Sequence, residues 1–342
     1  VAGISMGMPL ELISKSIQKG IGDMLGSLVG VIALGAMLGK LVAQSGAAQR
    51  IASVMMGLFG EKYIQWGLVC TGFIIGIPLF YNVGFVLMIP LIFSVVYQYK
   101  LPAVYIGLPM LASLSVAHGF LPPHPSPAAL VAQFHADMGQ TLLYGIIIAI
   151  PTIIIAGPLY ALTLKNISSS PNLSFATTSE PNQILPSTFL SFFTALFPVF
   201  MMAGTTILTS ILPSDSALIP VCKLVGDPAM VMLLAVLVAT ATLGGLTSQA
   251  LSKTMNTYSE AVKDVAMVLL IIAGAGALKQ VFMESGVSDV MASLLKNVNI
   301  HPLILGWLIS AFIRVCLGSA TVAGLTTAGI MAPMIESVQV DP

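Results

Sequence analysis

Residues 117–127 read "AHGFLPPHPSP", two histidines and four prolines between flanks, Ala103–Val116 and Leu142–Leu164, that carry no charge. Proline lacks the amide proton and disfavours helical geometry in the residue before it, so a helix reaching this run must stop. The surroundings make the stop unusual. Of 342 residues, 57% are hydrophobic and 8% charged, and mean hydropathy is +0.99, whereas soluble domains carry roughly 25% charged residues. Several apolar runs approach the ~20 residues that cross a bilayer as a helix. The composition therefore predicts an all-α polytopic membrane protein. Backbone inside a bilayer must be hydrogen-bonded internally, so a broken helix survives only where protein encloses it or it lines a cavity. The run 117–127 reads as the wall of such a cavity.

Composition also excludes functions. Thirteen basic residues balance thirteen acidic ones without a Lys/Arg cluster, which argues against nucleic acid as a partner. Cys70, Cys222 and Cys316 are far apart in or beside apolar segments and read as small core residues. No His-Glu-x-x-His zinc motif occurs, and "GSATVAG" at 318–324 lacks the Gly-x-Ser-x-Gly nucleophile pattern. No metal, no cofactor and no enzymatic chemistry is expected.

Two further stretches break apolar runs as 117–127 does. "PLFYNVGF" (78–85) separates Tyr63–Phe80 from Val83–Tyr99, and "LGSATVAG" (317–324) separates Pro302–Leu317 from Val322–Ile335. A polar interfacial helix is expected over Glu11–Asp23. Uninterrupted spans are expected over Leu25–Gln44, Leu142–Leu164, Thr188–Leu212, Pro228–Leu246 and Val265–Met283. The Ser-, Asn- and Pro-rich stretch Lys165–Gln183 has linker chemistry.

The later breaks repeat the earlier ones. A shift of 240 positions places Ser45-Gly46 on Ser285-Gly286 and Ile51–Ser53 on Met291–Ser293, and one further residue of slip places Trp66 on Trp307. If each broken pair, 63–99 and 302–335, enters and leaves on one side, the spans 25–44 and 265–284 cross in opposite directions. That is an inverted repeat, the plan of many secondary transporters, whose sites lie near the midplane between discontinuous helices. Arg50, Lys62, Lys100, Lys165, Lys253 and Lys263 then share one side, and Lys15, Lys19, Lys223 and Lys296 the other. The excess puts the first pair's entrance in the cytoplasm.

A helix restarting after a break points free amides and a positive dipole end into the cavity, which suits a carboxylate. Asn82, Ser319 and Thr321 stand at such restarts and could orient a polyol's hydroxyls. His118 and His124 are open to two readings, as residues capping a proline turn or as titratable groups near neutral pH. Arg314 lies inside "SAFIRVCLGSA" and either snorkels or supports an anion's charge. Asp137 caps the next span or relays protons. Lys40 and Lys279, near helix ends, are expected to snorkel.

The segments "ALGAMLGKLVAQSGAAQRIA", "GIPLFYNVGFVLMIPLIF", "AHGFLPPHPSPAAL", "LLYGIIIAIPTIIIAGPLY" and "RVCLGSATVAGLTTAGIMAP" resemble the bacterial gluconate permease (gluconate:proton symporter) family, over about Met8 to Pro342. That family is similar to the ion transporter superfamily. The resemblance implies a scaffold domain and a moving transport domain, two re-entrant hairpins with discontinuous helices, elevator-type transport, a homodimer and a bacterial inner-membrane location. The first repeat would be 1–164 (hairpin about 63–99, unwound helix about 103–137), followed by a linker at 165–187. The second, 188–342 with a hairpin at about 302–336, would lack its counterpart of the unwound helix, so the chain reads as part of a longer permease. The resemblance further implies a gluconate-like anion and protons as partners. Tyr81, Asn82, Val83, Gly84, His118, Gly119, Gly318, Ser319, Ala320 and Thr321 would contact substrate, with His118, His124 and Asp137 as proton-coupling candidates and Arg314 as charge support. Of the superfamily's Ser-Asn-Thr sodium signatures, Tyr81-Asn82-Val83 keeps the asparagine, and Ser319-Ala320-Thr321 the serine and threonine. Sodium-coupled carboxylate symport stands as the alternative to proton coupling.

Overall fold

The computed structural model describes residues 2–167, 185–213, 215–245, 247–286 and 300–338. These are helical apart from short connections: α1 Leu10–Gln44, α2 Ala47–Phe59, α3 Ile64–Gly76, α4 Tyr81–Tyr99, α5 Ala103–Phe120, α6 Pro125–Phe134, α7 Met138–Ile154, α8 Thr188–Ile211, α9 Leu218–Val225, α10 Pro228–Ala239, α11 Ser248–Glu284, α12 Pro302–Leu317 and α13 Ala320–Val338. Among the described residues, six stretches are long and apolar enough to cross a membrane, and α9 with α10, bent by 66° at their junction, count as a seventh only if the pair is one span. The linker and the counterpart of α2 lie largely outside the described residues.

Local chemistry explains the boundaries. Asp227 accepts from the amides of Ala229 and Met230, with Pro228 opening α10. Ser187 caps α8 through Leu190, and His301 caps α12 through Leu303 ahead of Pro302. Each supplies an acceptor that the first turn of a helix otherwise lacks. Two π-helical turns, Ile155–Leu159 after α7 and Thr240–Gly244 after α10, extend those helices with widened geometry.

The polar segment 11–23 forms no separate interfacial helix; it is continuous with the following span in the 35-residue α1. The 37-residue α11 likewise absorbs Glu260 and Asp264. Neither sequence contains a proline to stop it. At 1.5 Å per residue, α1 and α11 run about 50–55 Å, beyond the ~30 Å hydrocarbon core, whereas the 13 residues of α3 reach only about 20 Å.

The chain forms two compact units. The larger comprises Ala33–His124 and Gly139–Asp264; the smaller comprises Val1–Ile32, Pro125–Met138 and Val265–Pro342. Both intercalate segments from the two sequence halves, so neither compact unit coincides with 1–164 or 188–342.

In the larger unit, α5 is the central element. Its Ile106, Met110, Leu114 and Ala117 are fully buried. Ser113 Oγ donates to Val69 O of α3 at 2.8 Å. Helix α3 comes this close because Gly76 has no side chain: a Cβ there would lie 2.9 Å from Ala117 Cβ and 3.1 Å from Leu114 Cδ1. Elsewhere in this unit, Thr257 Oγ1 donates to Gln44 Oε1 at 2.6 Å, and Lys40 Nζ meets Asp264 at 2.7 Å and Glu260 at 3.3 Å. Lys40 therefore makes an ion-pair cluster instead of snorkelling alone, and the order of these contacts makes α1 and α11 antiparallel.

In the smaller unit, α1 and α11 meet at Gly20 and Gly276, where a Cβ on Gly276 would lie 2.9 Å from Met24 Cβ. Helix α6 packs along α13. Ser126 Oγ lies 3.5 Å from Ala320 O, and a Cβ on Gly324 would meet Ser126 Oγ at 3.1 Å and Leu130 Cδ1 at 3.5 Å. The contacts advance together along both helices, so α6 and α13 are parallel, with their N-termini side by side. Lys279 Nζ donates to Gln133 O near the end of α6 at 3.3 Å, a helix-capping contact in place of simple snorkelling.

The helix ends at 44 and 284 share one design. Ser45 N bonds Leu41 O at 2.9 Å and Ser285 N bonds Val281 O at 3.0 Å. The hydroxyls reach back three residues, to Val42 O at 3.3 Å and Phe282 O at 3.2 Å. Gly46 and Gly286 follow at φ 84° and 72°, the left-handed geometry glycine adopts without a Cβ penalty.

Candidate functional site

The proline–histidine run breaks the helix between Phe120 and Pro125, as its chemistry requires. Leu121–His124 form a tight turn, with His124 N bonded to Leu121 O at 3.2 Å. This turn folds one imidazole back on the other: His118 Nδ1 and His124 Nδ1 are 3.1 Å apart, with ring centroids 4.5 Å apart. His124 Nε2 lies 2.7 Å from Gly76 O. Gly76 ends α3, where the last carbonyls have no intrahelical donor, so the imidazole completes that helix end. Phe80, immediately before α4, closes the cluster with its ring centroid 5.7 Å from His118 and 5.9 Å from His124. His124 is buried at 3% exposure, and His118 is half-buried.

The electrostatics here are sparse. Helices α3, α4, α5 and α7 contain no Asp, Glu, Lys or Arg. His118, in the last turn of α5, and His124, in the turn that follows, are the side chains here whose unperturbed pKa lies near neutral pH.

The other expected residues of the larger unit occupy the restart after Phe80. Tyr81 opens α4 and stacks on Phe85 with centroids 6.1 Å apart. Asn82 is exposed and Val83 half-buried, while Gly84 is buried, with its Cα packed so near Leu114 that a Cβ would lie 2.8 Å from Cδ1. Gly119, half-buried, follows His118 in the last turn of α5. Tyr81, Phe85, Ile92, Leu108, Ala156 and Tyr160 line a separate cavity of about 850 Å³. Its walls are apolar and suit hydrocarbon, not a polyhydroxylated acid.

In the smaller unit, α12 ends at Leu317 and Gly318 turns the chain at φ 71°. Gly318 N bonds Arg314 O, and the Arg314 guanidinium donates through Nη1 to Gly318 O, each at 2.8 Å. Ser319 then caps α13, its Oγ accepting from Val322 N at 3.3 Å. Ala320 and Thr321, both half-buried, form the first turn. Among the described residues, no carboxylate lies within 4.0 Å of Arg314. The N-termini of α6 and α13 thus lie side by side, next to the C-terminus of α12, where the guanidinium caps the Gly318 carbonyl. Asp137, exposed, follows the end of α6. Among the described residues, no group of three or more His, Cys, Asp or Glu could hold a metal ion.

Sequence reading missed Gly76 O and Phe80 as partners of the histidines, and Ser126 as a neighbour of Ala320. Ser126 was legible in principle, because it stands in the first turn after the break in "HPSP".

Comparison with known proteins agrees with this architecture. The model of the GntP family permeases matches residues 1–342. The chain belongs to the GntP permease family. It is 48% identical over 341 residues to the high-affinity gluconate transporter of Escherichia coli strain K12, covering 99% of this chain and 78% of that protein. It is 42% identical to the L-idonate transporter of the Gnt-II system of the same organism, covering 100% and 78%. It is also 42% identical to a gluconate permease of Bacillus licheniformis, covering 99% and 78%. Among solved structures, the fold resembles the Alcanivorax borkumensis YdaH transporter with TM-score 0.60 at 17% identity, covering 94% of this chain and 73% of that one. As a GntP permease, the protein is a transporter rather than an enzyme, a multi-pass protein of the bacterial inner membrane.

Proposed function

We propose that this permease carries gluconate or a closely related small hydroxylated monocarboxylate in symport with protons. The observation that carries the coupling is the imidazole pair at 3.1 Å, at the end of α5 and in the turn after it, among helices that contain no Asp, Glu, Lys or Arg. The substrate class is supported by the gluconate and L-idonate transporters among its relatives. In the smaller unit, Arg314 and the α13 N-terminus at Ser319, Ala320 and Thr321, led in by the turn at Gly318, offer a carboxylate a guanidinium and backbone amides. In the larger unit, Tyr81, Asn82, Val83, Gly84, His118 and Gly119 border the first break and are the candidates for contact with substrate hydroxyls. His118 is the leading proton carrier, with His124 and Asp137 as the other candidates.

An inverted repeat, two re-entrant hairpins and an elevator-type movement within a homodimer complete the reading. The repeat is supported by the matching ends of α1 and α11, 240 positions apart, and by the antiparallel course of those helices. The first hairpin is supported by the shortness of α3. Purified protein in liposomes should accumulate labelled gluconate when the outside is acidic and collapse the gradient when a protonophore is added. One proton per univalent anion is electroneutral, and a tenfold gradient corresponds to one pH unit, so accumulation should approach about tenfold per unit. Accumulation driven by sodium at equal pH would refute proton coupling in favour of the sodium-coupled alternative.

A further inference from the structure

We infer that the apolar groove of the larger unit is a binding site for an anionic phospholipid, with one acyl chain in the groove and the headgroup phosphate between Lys100 and Lys165. The groove, of about 850 Å³, is floored by α5 along 103–112. Its walls are α4 along 81–93 and the extension of α7 at Ile155, Ala156 and Tyr160. No charged side chain lines it, so the body of its occupant is hydrocarbon. The volume lies in the range of about 300–1,000 Å³ typical of ligand pockets.

Packing gives the groove a direction. A Cβ on Gly107 would lie 3.3 Å from Ile92 Cγ2, and one on Gly84 would lie 2.8 Å from Leu114 Cδ1, so α4 runs antiparallel to α5. A Cβ on Gly145 would lie 2.9 Å from Phe120 O, and one on Gly157 would lie 3.3 Å from Pro109 Cα, so α7 and its extension are antiparallel to α5 as well. The ends of both walls therefore meet the start of α5. Lys100 caps α4 there, and Lys165 follows the extension, which ends at Thr163. Both lysines are exposed. The turn before α3 reaches the same end, because Gln65 Nε2 donates to Tyr105 O at 2.8 Å; it adds Glu61 and Lys62, one charge of each sign. Tyr63, Tyr97, Tyr99 and Tyr105 gather at this end too, and such rings sit at the headgroup level of a bilayer.

Length decides the occupant. From Ala103 to Ala112 the floor rises about 14 Å at 1.5 Å per residue, half of the ~30 Å hydrocarbon core and hence one leaflet. The groove starts at headgroup depth and ends near the midplane, at Tyr81, where α4 restarts after its break. An apolar slot one leaflet deep with two ammonium groups at its mouth matches the two ends of one lipid of that leaflet. A zwitterionic lipid offers the same chains without net charge, so preference for an anionic headgroup is the property that marks the site. The inference is independent of the anion carried and of the coupling ion.

The full chain carrying Trp66→Phe, Trp307→Phe and Leu108→Trp has a single indole, on the groove floor. It is reconstituted in phosphatidylethanolamine vesicles containing rising fractions of phosphatidylglycerol or phosphatidylcholine with brominated chains, which quench indole on contact. Each lysine beside anionic lipid is worth about fivefold in affinity. Brominated phosphatidylglycerol should therefore half-quench at a mole fraction roughly 25-fold below brominated phosphatidylcholine. Lys100→Asn with Lys165→Gln should bring the two lipids together, asparagine tolerating the φ of 53° at 100. Equal quenching by both lipids with the lysines present would overturn the proposal and leave an unselective lipid-facing surface. No quenching by either would also overturn it, showing the groove covered by protein, a second copy included. Native mass spectrometry needs no reporter residue. The unaltered chain should retain phosphatidylglycerol in preference to phosphatidylethanolamine, and the lysine double variant should lose that preference. Equal preference in the two proteins would refute the assignment of the phosphate to Lys100 and Lys165.

Discussion

Replacing Gly76 by alanine tests the packing and the histidine chain together. The new Cβ would lie 2.9 Å from Ala117 Cβ, 3.1 Å from Leu114 Cδ1 and 3.4 Å from Leu114 Cα. Carbon atoms rest at about 3.5–4.0 Å, so α3 must retreat from α5 by roughly 0.6–1 Å. The same retreat stretches the 2.7 Å contact between Gly76 O and His124 Nε2 to about 3.3–3.7 Å, where little hydrogen bond remains. Overpacking costs about 1–3 kcal/mol, and a buried N–H left unpaired costs about 1–3 kcal/mol more. Alanine's better helix propensity returns at most about 1 kcal/mol. The net expectation is a loss of about 1–6 kcal/mol, read as a fall of several degrees in the melting temperature of protein in lipid nanodiscs. Gly57→Ala is the control, because a Cβ there meets nothing within 4 Å, and it should be neutral or stabilising. Gly76→Ala with Ala117→Gly should recover part of the loss by vacating the nearest contact. If Gly76→Ala melts with wild type and accumulates gluconate normally, close approach of α3 and α5 is not what positions His124.

Other perturbations have equally definite signs. Gln133 Nε2 and Thr327 Oγ1 are buried without a hydrogen-bond partner, so Gln133→Met and Thr327→Val should hold or raise the melting temperature, and a fall of several degrees would show that these atoms are paired in the membrane. Glu260 and Asp264 are more than half exposed, and exposed pairs contribute about 0–1 kcal/mol, so Lys40→Met should lower the melting temperature only slightly, more at low salt than at high; a fall of many degrees, or none at any salt concentration, would refute this reading of the cluster. Asn82→Leu, Ser319→Leu and Thr321→Leu should each abolish gluconate binding in equilibrium titrations while the protein remains in the membrane. Ser319→Asn separates capping from binding, because asparagine also caps helices; normal binding by the leucine variants would reduce all three residues to helix packing.

Most of the helix inventory was legible because its cause is local. Proline at 122, 123 and 125 stops α5 wherever that helix packs, and Pro228 and Pro302 mark helix starts for the same short-range reason. The composition fixed the solvent, and the Ser-Gly pairs at 45 and 285 marked two helix ends. The length of α1 and α11 was not legible. Charges at 11–23 and at 260–264 read as the edge of a membrane span, but helical hydrogen bonding continues through charged residues at no backbone cost. A polar run ends a span without ending a helix.

The site shows the complementary limit. His118 and His124 are six positions apart, and a turn of known type could suggest that their rings meet. Nothing local announces that the carbonyl paired with His124 belongs to Gly76, 48 positions earlier, because a carbonyl is present at every residue and its availability depends on where α3 ends. The nitrogen that meets the carbonyl then fixes where the hydrogen of the His124 ring sits. Had His124 turned its other nitrogen to that carbonyl, Nδ1 would carry the hydrogen and Nε2 would be left as the acceptor. Where the two imidazoles lie is set by the packing of α3 on α5, and that packing depends on the absence of one methyl group at Gly76.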